Sequence, residues 1–70
     1  MNIESLKSNL VYLINRYIPT ENERKALLGL VSADEDVPVK GILADLTPYL
    51  SSSITPDDEK ILKEIVFFYC

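Results

Sequence analysis

Histidine and tryptophan are missing from this chain. It holds one cysteine, two glycines and no uninterrupted apolar run longer than six residues. Without histidine there is no imidazole to act as general base, and the commonest zinc ligand is absent. Cys70 alone can form neither an intrachain disulfide nor a zinc site. Two glycines are too few for a phosphate-cradling loop. The longest apolar run, Ile65 to Cys70, falls far short of the ~20 residues that span a bilayer, so no membrane partner is expected. Positive charge is scarce as well. Seven Lys and Arg face eleven Asp and Glu, a net charge of −4, and no basic stripe exists to neutralise phosphates. Nucleic acid is therefore an unfavoured partner. These absences leave no catalytic, cofactor-binding or metal-ligating residue to name, and no cofactor is expected. Met1 to Ser8 is polar and lacks the basic start and apolar run of a secretion signal, which gives a cytoplasmic location as the expectation.

What the chain does contain is amphipathic helix. Seventy residues make one helical domain, 1–70, of a size that buries only roughly 60% of its unfolded surface. Idealised helix packing or self-association is the usual remedy for so small a core. Apolar residues make up 47% of the chain, a surplus that favours a homodimer. A first helix is expected over 2–18, where Ile3, Leu6, Leu10, Leu13 and Tyr17 recur at the alternating three- and four-residue steps of a packing seam. Ile14 and Ile18 widen that stripe, and Pro19 ends the helix.

One pattern then appears twice, thirty-five residues apart. Thr20 to Val31 reads TENERKALLGLV and Thr55 to Val66 reads TPDDEKILKEIV. Each opens with Thr and carries an acid three residues later, Glu23 or Asp58. That spacing predicts a capping box, in which the Thr hydroxyl and the acid satisfy each other's backbone amides. Ala26, Leu27, Leu30 and Val31 form the expected buried stripe of the second helix, with Gly29 allowing a close helix–helix approach. Between the two copies, Asp36 is a plausible cap and Pro38 a plausible first residue for a third helix. Val39, Ile42, Leu43 and Leu46 give its stripe, extended by Tyr49 and Leu50. Pro48 predicts a kink, or a stop near Leu46. In the last helix, Ile61, Leu62, Ile65, Phe68 and Tyr69 form the expected buried face, leaving Val66 and Phe67 pointing elsewhere. The thirty-five-residue period is near that of a tetratricopeptide hairpin, but the Trp, Gly, Tyr and Ala positions of that motif are absent. Two capped amphipathic helices explain the similarity without a repeat.

Acidic charge concentrates in residues 34–50, where Asp34, Glu35, Asp36 and Asp45 outweigh Lys40. A calcium loop beginning at Asp34 fails, because Pro38 and Val39 stand where a ligand and the turn glycine belong. Tyr12 lies off the seam of the first helix, as an interface anchor or lying over the bundle edge. Arg16, Arg24 and Lys25 are the clustered positive charges, best read as a solvated face.

From Glu21 onward the chain resembles the YmgB/AriR–YcgZ family of small regulators of biofilm formation and acid resistance. The likeness rests on Leu28-Gly29, an acidic turn followed by Val37, Lys40, Gly41 and Ile42, then Leu46 and Leu50, and finally Ile65, Val66 and Tyr69. It spans about fifty of the seventy residues, and departs from the family pattern at Pro48 and in having Ser51 after Leu50. The resemblance implies an all-α homodimer that serves as a connector to a signalling or regulatory protein, without catalysis. The sequence thus leads to an all-α bundle of four short helices, or three plus a turn, dimeric through Leu6, Leu10, Leu13, Phe67 and Phe68. Its function would be that of an adaptor in bacterial signalling, controlling biofilm or the stress response. The alternative is an acidic inhibitor of the immunity or phage anti-defence type, meeting a basic surface through Asp34, Glu35, Asp36 and Asp45.

Overall fold

A computed structural model describes residues 2–32, 37–50 and 54–69. Four helices follow in order: α1 (Ile3–Tyr17), α2 (Glu21–Val31), α3 (Val39–Leu50) and α4 (Pro56–Tyr69), and no strand occurs among the described residues. The all-α bundle expected from the apolar periodicity is the fold, and its four-helix form is the one adopted.

Helix α1 opens on Asn2, whose side chain accepts a 2.8 Å bond from the Ser5 amide. It closes at Ile18, which turns extended ahead of Pro19, as the steric rule for a residue before proline requires. Leu6, Leu10, Leu13 and Ile14 of α1 are all 1% exposed or less, and Ile18 joins them. Around this stripe pack Leu27 and Val31 of α2, then Val39, Ile42, Leu43, Leu46 and Leu50 of α3. From α4, Ile65 alone is a fully buried apolar side chain, with Ile61, Leu62 and Tyr69 partly covered. Helix α1 contacts each of the other three and is the centre of the bundle. Helix α4 is the most lightly held, since one buried isoleucine contributes roughly 1.5–3 kcal/mol.

Several expectations are corrected. The third helix does not stop at Leu46 but runs on through Pro48 to Leu50. Proline there removes only one late intrahelical donor, and the Thr47 hydroxyl donates 2.7 Å to the Leu43 carbonyl one turn back. Ala26 and Leu30 lie on the exposed side of α2, because α2 meets the core through Leu27 and Val31. Phe68 is 53% exposed rather than buried, because α4 turns Ile65 toward α1. Gly29 makes no close helix contact: a Cβ placed there meets nothing within 4 Å. The proposed cap Asp36 lies outside the described residues.

The open space at Gly29 has a measurable consequence. Its backbone is ordinary helix with no positive φ, so Gly29→Ala should remove only the entropic penalty of glycine, worth roughly 0.5–1 kcal/mol. A rise in thermal midpoint of about 4–8 °C per kcal/mol is expected for a domain of this size. A lowered midpoint would mean that this face of α2 is closely packed in solution.

Candidate functional site

The T-x-x-[DE] pattern supplies the two polar ties of the bundle, though not in the way its spacing predicts. Thr20 takes the extended backbone of an N-cap, yet its side chain makes no capping bond. Glu23 instead crosses to α3, where its Oε2 accepts from the Tyr49 hydroxyl. In the second copy Thr55 does cap: its Oγ1 accepts a 3.2 Å bond from the Asp58 amide. The reciprocal half of the box is again missing, because the Asp58 carboxylate crosses to α1. The capping boxes are thereby corrected to one Thr cap and two interhelical carboxylates.

Asp58 is only 2% exposed and is the one buried charged residue among those described. Its Oδ1 accepts from the Tyr12 hydroxyl at 2.8 Å. Its Oδ2 accepts from the Tyr17 hydroxyl and lies 2.9 Å from the Arg16 Nε. Tyr17 in turn accepts a 3.3 Å bond from the Thr55 amide, so one phenol holds both the cap residue and the acid of α4. The Arg16 guanidinium sits 5.9 Å from the Tyr12 ring centre and 5.8 Å from that of Tyr17, within cation–π range of both. Tyr12, Arg16 and Tyr17 lie one helical turn or one residue apart on α1, which is why three separate side chains converge on a single carboxylate.

This environment fixes the charge of Asp58. The hydrogen bond from Tyr17 is the largest influence holding its carboxyl below the usual 3.8, with those from Tyr12 and Thr55 and the charge of Arg16 acting alike against burial. Tyr12 moves in the opposite sense, above its usual 10.0, chiefly because ionising it would break its bond to Asp58. With donors on both oxygens, this carboxylate ties α4 to α1.

A second feature lies between α2 and α3. Glu23, Ala26 and Leu27 on one side and Ala44, Asp45, Pro48 and Tyr49 on the other line a half-open groove of about 390 Å³. The Tyr49 hydroxyl is pushed above 10.0, first by its bond to Glu23, then by desolvation and by the charges of Glu23 and Asp45.

The third feature is the end of α4. Phe67 is 80% exposed, and its ring meets that of Phe68 edge-on at 5.0 Å. Val66 beside them is exposed as well.

Of the residues named for self-association, the structure separates two groups. Leu6, Leu10 and Leu13 are core residues of the single chain, whereas Phe67 and Phe68 are open to solvent. Of the acidic set, Asp45 lies on the exposed rim of the groove, while Asp34, Glu35 and Asp36 fall outside the described residues. Arg16 is not part of a merely solvated face; it pairs with Asp58. Asp58 was legible only as a cap. The signal that could have marked it was Tyr12 and Arg16, one turn apart off the seam of the first helix, beside Tyr17 at the end of the seam. Among the described residues no group of three or more acidic, His or Cys side chains could hold a metal ion, and no helix is long and apolar enough to cross a membrane.

No family model, curated protein or solved structure matches this chain.

Proposed function

We propose that the protein is a small non-catalytic adaptor that works by contact with other polypeptides, itself included, through the aromatic end of α4. The observation that carries this reading is the exposure of Phe67 and Phe68 side by side in a chain whose other large apolar side chains mostly serve the core. Exposed paired aromatics lose free energy in water and are enriched where proteins meet. Helix α4 itself presents them on a lightly docked element that can adjust to a partner. The resemblance to the YmgB/AriR–YcgZ family supplies the setting we propose: bacterial signalling in biofilm formation or stress response.

The test is a Phe67→Ser/Phe68→Ser double variant, whose fold should be intact because neither ring fills the core. Sedimentation velocity over a concentration series should show the unaltered protein associating and the variant remaining monomeric. The unaltered chain should also retain a discrete host protein that the variant releases. A unaltered chain that stays monomeric and shares all its captured proteins with the variant would reject the reading.

A second reading, the acidic inhibitor, would meet a basic surface through Asp34, Glu35, Asp36 and Asp45, the last of which lines the groove between α2 and α3. Its association rate would fall steeply with ionic strength, whereas docking through Phe67 and Phe68 would be nearly insensitive to salt.

A further inference from the structure

The groove between α2 and α3 combines three properties that together specify an occupant. The first is shape. Ala26 and Ala44 are small residues lining the opening from the two helices, and the groove they help line has a volume of about 390 Å³. That volume lies at the lower end of the range for small-ligand sites and leaves ample room for a single projecting side chain. The second is apolar lining, to which Leu27, Pro48 and Tyr49 contribute beside the two alanines. The third is unneutralised charge. Among the described residues, the ion pairs join Arg16 to Asp58, Lys25 to Glu21 and Lys63 to Glu59; none engages Glu23 or Asp45. Glu23 is held in place by the Tyr49 hydroxyl and keeps its other oxygen for an incoming donor.

We infer that this groove receives an arginine side chain projecting from a partner polypeptide, its guanidinium meeting Glu23 and Asp45 and its stem lying over Leu27 and the Tyr49 ring. Charge complementarity selects a cation, and the apolar lining selects one with an aliphatic stem over a hydrated metal ion. Arginine fits better than lysine, because a planar fork can bond a carboxylate with two parallel donors while stacking on an aromatic ring. The site is separate from the aromatic end of α4 and rests on different residues.

The experiment is an NMR titration of the isotope-labelled protein with the acetylated, amidated tripeptide Ala-Arg-Ala. Matched lysine and norleucine tripeptides serve as controls. Saturable shifts are expected at the amides of Ala26, Leu27, Ala44 and Asp45, with a dissociation constant on the order of millimolar. The lysine peptide should bind more weakly and the norleucine peptide should not bind. Asp45→Asn should weaken the arginine peptide roughly three- to fivefold, as for a partly exposed ion pair. Ala44→Leu, which projects a branched side chain into the groove and keeps both carboxylates, should abolish binding. Unchanged binding in Phe67→Ser/Phe68→Ser separates this site from the adaptor surface. Shifts that are equal for arginine and norleucine, that centre on the α4 carboxylates Asp57 and Glu59, or that persist in Ala44→Leu would overturn the inference.

Discussion

Leu10→Asp is expected to leave no folded chain. Leu10 is 0% exposed at the centre of α1, the helix against which the other three pack. Truncation to alanine alone should lower stability by about 2–5 kcal/mol through lost transfer energy and the cavity left behind. A seventy-residue domain has roughly 3.5–10 kcal/mol in total. Aspartate adds the burial of an unpaired carboxylate, which costs more again. Far-UV circular dichroism should therefore show loss of helix, and the NMR amide spectrum should collapse to narrow dispersion. Leu10→Ala should remain folded with a lower denaturant midpoint, which ties the loss to burial of the site. The outcome that would reassign Leu10 is a folded Leu10→Asp chain whose sedimentation alone changes, because that places the leucine at a surface between chains.

Asp58→Asn should have the second-largest effect, and a local one. Asparagine keeps the shape of the side chain but replaces one acceptor with an NH2 that faces donors from Tyr17 and Arg16. The loss is expected at about 1–3 kcal/mol, the range for a buried hydrogen-bonded group left mismatched. It should fall on α4, which has Ile65 as its one fully buried apolar anchor. Native-state hydrogen exchange would read this directly: amide protection should drop in α4 well before α1 is affected. A uniform drop in all four helices, or none, would contradict the assignment of Asp58 as the residue that docks α4.

The same carboxylate contributes to the acid limit of the fold. Its folded pKa lies below the ordinary 3.8, so the unfolded chain takes up its proton first as pH falls. The stabilisation is complete above that ordinary value and is lost as pH falls through the lower, folded value. The alkaline limit has the opposite sign. Tyr12 and Tyr49 are raised above 10.0, so the bonds they donate are fully stabilising below pH 10 and lost as pH rises through their folded values. Urea midpoints measured against pH should show a plateau between these limits. The acid limb should flatten in Asp58→Asn while the limb from Tyr49 persists. A variant with an unchanged acid limb would assign acid sensitivity to other carboxylates.

Local patterns were enough to specify most of the fold. The seam through Leu6, Leu10, Leu13 and Ile14, the stop at Pro19 and the stripe from Val39 to Leu50 all depend on neighbours within one or two turns. Such patterns can be read along the chain, because helical periodicity and proline sterics act locally. Where the expectation failed, the deciding neighbour was distant in sequence. Gly29 and Leu30 belong to a recognisable amphipathic helix, but which edge of its stripe faces α1 depends on how the helices cross. Phe68 follows the same rule: its spacing fits the buried face of α4, yet Ile65 is the one apolar side chain of α4 that becomes fully buried.

The doubled T-x-x-[DE] pattern shows the division most clearly. The sequence by itself determined where the two helices begin, since Thr20 and Thr55 stand at the N-termini of α2 and α4. Only the tertiary structure decided what the acids do. Their side chains are long enough either to bend back to the local amide or to reach the next helix, and the energies of the two choices are similar. Phenols placed by α1 and α3, at separations of 41 and 26 residues, tip the balance. Glu23 and Asp58 become ties between helices because a hydroxyl donor waits across each interface, a fact that no local spacing contains.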